Sequence, residues 1–199
     1  MEPEKLVKLL LKLDNLKDIS RTGWQIAGLT CSRTESVAEH SWGVIHIASM
    51  ICNQITESNP KVDLEKVLLM AIMHDYAESI ISDIPKTATD LSKGFKEEKK
   101  DAEFVAIKSL IGHDSKLNSL WTELETCDTI ESKIVHAADI FDMLIHAVRL
   151  ENSGVSPGLL NHFFINSREK IEELDIPLIT EIYNHIHTKH EYNRSIRDN

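Results

Sequence analysis

The sequence predicts an all-α protein, and three observations carry that expectation. Apolar residues recur at three- and four-residue intervals through most of the chain. No stretch alternates convincingly with period two, the mark of a half-buried strand. Glycine is scarce, at 7 of 199 residues, so signals for tight turns are few.

The elements follow in order. "EKLVKLLLKLDNLK" places Leu6, Leu9, Leu10 and Leu13 on one helical face. Ser36 and Glu39 fit a capping box opening a helix to about Ile55, with Val37, Val44, Ala48 and Ile51 inward. Asp63 fits an N-cap, and Leu64, Val67, Leu68 and Ala71 form a stripe expected to continue to about Ile81, short of Pro85. A partly irregular stretch is expected from about 82 to 94. "KGFKEEKKDAEFVAIKSLIG" reads as an amphipathic helix stopped by Gly112. A shorter helix covers roughly 116–126. A long one covers about 129–151, with Ile130, Ile134, Ala137, Ala138, Phe141, Ile145 and Val148 inward. "ENSGVSPG" reads as a turn, and two further helices divide near Pro177.

Length fits one domain, and 42% hydrophobic with 27% charged residues is ordinary globular usage. The net charge of −10 disfavours non-specific binding to a nucleic-acid polymer, while leaving room for a small anion held by local Arg or Lys. Cys31, Cys52 and Cys127 are far apart, so neither a thiolate zinc site nor a disulfide scaffold is suggested. No run approaches 18 apolar residues, and the amphipathic N-terminus lacks a signal-peptide core. The expectation is a cytoplasmic protein without a membrane partner.

"MHDYAES", residues 73–79, is the chemical anomaly. His74 and Asp75 continue the inward side of an apolar stripe, with Glu78 one turn on. His40 flanks the inward stripe of the preceding helix, and the long helix offers Asp139 beside Ala138, with Asp142 three residues later. His, His-Asp and Asp from three helices make a mixed nitrogen and oxygen set suited to one divalent transition metal: Mn, Co, Zn, Fe or Ni. The competing readings of the same residues are hydrogen-bonded buried polar networks and helix-end salt bridges. Asp142 reads as solvent-facing or as supporting a ligand. His46, His113, His136, His146, His162, His185, His187 and His190 read as surface or helix-flank residues.

"RTESVAEHSW" (33–42), "LMAIMHDYAESIISDIP" (69–85) and "IVHAADIFDML" (134–144) resemble the HD-domain superfamily of metal-dependent phosphohydrolases, in its 5′-deoxynucleotidase-like subgroup. The similarity spans about residues 5–150. It implies a single-domain HD-type helical bundle over 1–199, with its motif-bearing core at about 20–150 and additional helices at about 156–192. It implies metal ligation by His40, His74, Asp75 and Asp139, with Glu78 as the catalytic carboxylate. Asp83 would contact the sugar and help reject a 2′-hydroxyl, with Ile84, Pro85 and Lys86 lining the same wall. Trp24 would orient the phosphate, and Arg21 or Arg33 would supply positive charge. In this chain "RTGW" separates Arg21 from Trp24, which the subgroup places side by side. The implied reaction is hydrolysis of deoxyribonucleoside 5′-monophosphates, and the implied assembly is a homodimer. The alternatives are another nucleotide substrate (a cyclic nucleotide, a dNTP or guanosine tetraphosphate) or a metal- or nucleotide-binding sensor without turnover.

Overall fold

The computed structural model describes residues 2–30, 34–58, 61–89, 91–112 and 115–197. Among them it is all-α: eleven α-helices, one 3₁₀ segment and a single isolated bridge between Ser20 and Ser36. No described helix is long and apolar enough to cross a membrane. The chain divides into two compact units, Met1–Trp42 with Ile72–Thr126, and Gly43–Ala71 with Cys127–Asn199.

The first unit begins with α1 (Pro3–Leu13), where proline occupies the helix start that needs no backbone N–H, followed by a 3₁₀ segment, Asp14–Lys17. The expected inward face of α1 is not buried. Leu6 and Leu10 are exposed, and no residue of the helix is buried, so its apolar stripe remains on the surface. After α2 (Thr22–Ile26), the capping box forms at the head of α3 (Val37–Ser58). The Ser36 N–H donates to Glu39 Oε2 at 2.7 Å and the Glu39 N–H donates to Ser36 Oγ at 3.2 Å.

The stripe expected to run unbroken to Ile81 is interrupted. Helix α4 (Leu64–Met73) stops before the His-Asp pair, residues 74–77 form a turn, and the short α5 (Glu78–Ile81) resumes. The stretch expected to be irregular contains one more helical turn, α6 (Lys86–Thr89). Helix α7 (Lys93–Ile111) then matches its expected span, with Ser92 accepting the Phe95 N–H at 3.1 Å. Gly112 closes α7 at φ 62°, a conformation that costs glycine little. Helix α8 (Ser115–Thr126) completes this unit. Trp24, Met73, Ile107, Trp121 and Leu124 form much of its buried core.

The second unit holds the rest of α3 and α4 and three long helices that pack on one another: α9 (Ile130–Asn152), α10 (Pro157–Leu174) and α11 (Pro177–Arg197). Asp63 caps α4 by accepting the Lys66 N–H at 3.2 Å, and Thr129 with Ser132 forms a second capping box. Ile134, Ala138, Phe141 and Leu144 of α9 meet a core that includes Leu160, Phe164, Ile171, Ile179 and Tyr183. Each such large side chain contributes about 1.5–3 kcal/mol by burial. Ile145, expected inward, is exposed, because the stripe of α9 turns through Leu144 and Ala147 instead.

His190 corrects the expectation of a surface histidine. It is fully buried, its Nδ1 lies 2.5 Å from Glu151 Oε1, and Phe164 stacks on its ring at 3.8 Å. Asn193 Nδ2 donates to the other Glu151 oxygen at 2.9 Å, and Arg197 donates to the Glu151 and Val155 carbonyls at 2.6 and 2.7 Å. These bonds provide the polar closure of the α9–α11 packing.

Gly43, buried inside α3, has no room for a Cβ, which would overlap the Asp142 carboxylate. Glycine to alanine within a helix ordinarily stabilises by about 1 kcal/mol. Here Gly43→Ala should instead destabilise by about 1–3 kcal/mol in urea unfolding, the usual cost of overpacking. Adding Asp142→Ala should restore much of the loss.

Candidate active site

The polar turn after α4 arises because the apolar run ends at Met73. The Tyr76 N–H donates to Met73 O at 3.1 Å, the Glu78 N–H to Asp75 O at 3.0 Å and the Ser79 N–H to Tyr76 O at 3.1 Å. This tighter three-residue spacing replaces the α pattern between Met73 and Ser79. His74 and Asp75 therefore project from a turn, and Glu78 opens α5. His40 sits in the first turn of α3, just beyond its capping box, and is fully buried.

These elements bring three donor atoms together. The Nε2 atoms of His40 and His74 lie 3.8 and 3.1 Å from Asp75 Oδ2, and the two rings meet edge-on with centroids 5.5 Å apart. One ligand atom from each of the three residues falls within 4.8 Å of the others. Asp75 Oδ2 is buried with no hydrogen-bond partner among the described residues, although buried carboxylate oxygens are normally satisfied. Two imidazoles and a carboxylate with an unsatisfied oxygen at their meeting point fit a divalent transition metal.

Charge around the trio is compensated from α2. Arg21 Nη1 lies 3.6 Å from Asp75 Oδ2. Burial alone would raise the Asp75 carboxyl, but His74, His40 and Arg21 outweigh it and hold the group down to about 2. Glu78 shows the reverse. It is buried, its Oε2 has no hydrogen-bond partner among the described residues, and desolvation together with the charges of Asp75 and Asp83 pushes it well above the usual carboxylate range. Arg21 and Lys99 oppose that rise. Lys99, on α7, pairs with Glu103 at 3.0 Å.

Asp83 follows Ser82, whose φ of 65° turns the chain sharply at the end of α5. Its Oδ2 accepts the Thr22 N–H, and its carbonyl accepts the Thr22 hydroxyl at 3.0 Å. Ile84 and Pro85 are half-buried beside it, and Lys86 is exposed at the start of α6. Trp24 is 2% exposed, and its indole N–H donates to Glu35 Oε1 at 3.1 Å. Arg33 lies outside the described residues. Asp139 belongs to the second unit, half-buried on α9 beside the buried Ala138.

The structure thus gathers His40, His74, Asp75, Glu78, Asp83, Arg21 and Trp24 within the first unit. It adds three residues that sequence reasoning passed over: Glu35, Thr22 and Lys99. Glu35 lies inside "RTESVAEHSW" and Thr22 inside "RTGW", so both were in view. Their partners are 11 and 61 residues away, and no spacing rule marks such pairs.

Loss of one donor should empty the trio. His74→Ala or Asp75→Asn is expected to weaken Mn²⁺ or Zn²⁺ binding by about 100-fold or more, since even outer partners of metal ligands cost 10–100-fold. Metal content after dialysis checks this, with circular dichroism confirming that the helices persist.

The comparisons with known proteins agree with this geometry. A family model described as HD domain matches residues 13–177. The chain is 27% identical to the 5′-deoxynucleotidase HDDC2 of Danio rerio, over 94% of this chain and 90% of that protein. It is 33% identical to the 5′-deoxynucleotidase hdd1 of Schizosaccharomyces pombe, over 73% and 72%. Among solved structures, a protein of Pyrococcus horikoshii OT3 superposes with a TM-score of 0.79 at 32% identity, covering 92% of this chain and 99% of that one. With a family model covering most of its length, and His40, His74 and Asp75 of its motifs brought together, the chain belongs to the HD domain family.

Proposed function

We propose that this chain is a metal-dependent phosphomonoesterase that hydrolyses deoxyribonucleoside 5′-monophosphates to the deoxynucleoside and phosphate. One observation carries the reading: the donor atoms of His40, His74 and Asp75 converge, and the buried Glu78 carboxyl follows three residues after Asp75. The names of the zebrafish and yeast relatives, both 5′-deoxynucleotidases, point to the same reaction.

In this reading His40, His74 and Asp75, joined by Asp139, hold one divalent transition metal, with Mn, Co, Zn, Fe and Ni all compatible with the donors. When bound, such an ion acidifies water and neutralises charge on the phosphoryl oxygens. The chain's own residues do the rest. Arg21, already 3.6 Å from Asp75, offers its guanidinium to the phosphate dianion. Water oxygen bonds to phosphorus as the bond from phosphorus to the sugar O5′ breaks; the water gives up one proton and the departing oxygen takes one up. Glu78, whose carboxyl is pushed upward by burial and by the charges of Asp75 and Asp83, is suited to assist that proton transfer.

Asp83 has one carboxylate oxygen committed to the Thr22 N–H, which leaves its side chain little freedom to move aside. Set against the 2′ carbon, it would clash with a ribose hydroxyl and accept a deoxyribose. Ile84 and Pro85 extend the same wall. A homodimer accompanies the proposal, supported by the exposed Leu6, Val7, Leu10 and Leu11 of α1.

The deciding assay is phosphate release from dAMP and AMP by metal-stripped protein after adding Mn²⁺, Co²⁺, Zn²⁺ or Mg²⁺ singly. Metal-dependent turnover of dAMP well above AMP is expected, and no release with any ion would remove the proposal. Glu78→Ala should lower kcat by about 10²–10⁴-fold, the usual worth of a positioned acid or base, with metal content unchanged. Asp83→Ala should narrow the dAMP-to-AMP ratio of kcat/KM by about tenfold or more. An unaltered ratio would refute the sugar role.

A further inference from the structure

Helix α2 is only five residues long, far too short to hold itself together. Yet it carries Arg21 at its N-cap, Thr22, which grips Asp83, and Trp24. Something else must fix its position. Two bonds to one residue do so. The Glu35 carbonyl accepts the Arg21 N–H at 3.0 Å, and the Glu35 carboxylate accepts the Trp24 indole N–H at 3.1 Å. The Val37 N–H to Ile19 carbonyl bond, at 2.8 Å, completes a small antiparallel clasp around the bridge between Ser20 and Ser36.

We propose that Glu35 is a positioning residue for substrate recognition. Its side chain holds Trp24, and through it α2, where Arg21 meets the phosphate and Thr22 steadies Asp83. The inference rests on the phosphomonoesterase reading given above. Its physical basis is the pairing of two buried groups. Glu35 and Trp24 are 9% and 2% exposed, and indole N–H is a donor with no acceptor capacity. A bond from a neutral donor to a carboxylate in such surroundings is among the stronger hydrogen bonds a protein makes. It also commits the indole N–H to Glu35, so the buried Trp24 acts by anchoring α2.

Glu35 also has an oxygen within 4.8 Å of a His40 ring nitrogen, so the test must separate positioning from ligation. Four full-length variants do this: Glu35→Gln, which keeps an acceptor for the indole; Glu35→Leu, which removes it; Trp24→Phe, which keeps a ring but loses the N–H; and the double variant Glu35→Leu/Trp24→Phe. Each is loaded with Mn²⁺, and KM and kcat for dAMP are read beside metal content. Glu35→Leu and Trp24→Phe should each raise KM about tenfold, the worth of one such bond, with kcat and metal content little changed. Glu35→Gln should stay near the parent, and the double variant should be no worse than either single.

Metal loss in Glu35→Gln would make Glu35 a ligand and overturn the proposal. So would an unchanged KM in Glu35→Leu, or losses that multiply in the double variant. If Glu35→Leu does not fold, an unchanged KM in Trp24→Phe overturns it alone. If the parent protein turns over no dAMP with any metal, the substrate reading has failed. The Glu35–Trp24 coupling is then read from urea midpoints, where a double variant less stable than both singles rejects it.

Discussion

Asp75 Oδ2 is the point on which the first unit's polar architecture depends. A carboxylate oxygen taken out of water costs several kcal/mol unless opposite charge or donors come with it. Here the compensation arrives from three separate stretches: His74 beside it in sequence, His40 from α3 and Arg21 from the start of α2. The same concentration of charge acts on Glu78 with the opposite sign, because a second buried carboxylate close to Asp75 gains by keeping its proton. Two acids three residues apart are thus shifted in opposite directions by one environment.

The surrounding structure keeps these groups from relaxing. The turn at 74–77 breaks the helix so that His74 and Asp75 leave the regular spiral, and the left-handed Ser82 turns the chain again before Asp83. Thr22 fastens Asp83 from the other side, while Glu35 fastens α2. Each bond is modest alone. Together they tie short, individually unstable segments into one arrangement, which is how a recognition surface becomes preorganised. In the α9–α11 core of the second unit large apolar side chains pack, and the buried His190–Glu151 pair is held by its asparagine and arginine partners.

The helices themselves were legible because their signals are local. The Ser36–Glu39 box, the Asp63 cap, the stop at Gly112 and the starts at Pro157 and Pro177 all act within one turn of the backbone. The stripes of α7 and α9 were readable for the same reason, with period 3.6 recurring over many turns. Where apolar residues had no available partner the inference failed. Nothing in Leu6 or Leu10 distinguishes a stripe that is covered from one left exposed on α1.

The candidate site divides along the same line. By itself the sequence determined the family motifs, and with them it marked His40, His74 and Asp75 as candidate ligands and Glu78 as a candidate carboxylate one turn on. The tertiary structure alone decided that His74 and Asp75 stand in a turn, that Arg21 answers Asp75, that Thr22 holds Asp83, and that the Trp24 indole is spoken for by Glu35. It also decided that His190 is a buried structural residue and not a surface one. The reason is physical: capping and periodicity are written in neighbours a few residues apart, whereas desolvation, charge compensation and long-range hydrogen bonds are set by groups that meet only when the chain has folded.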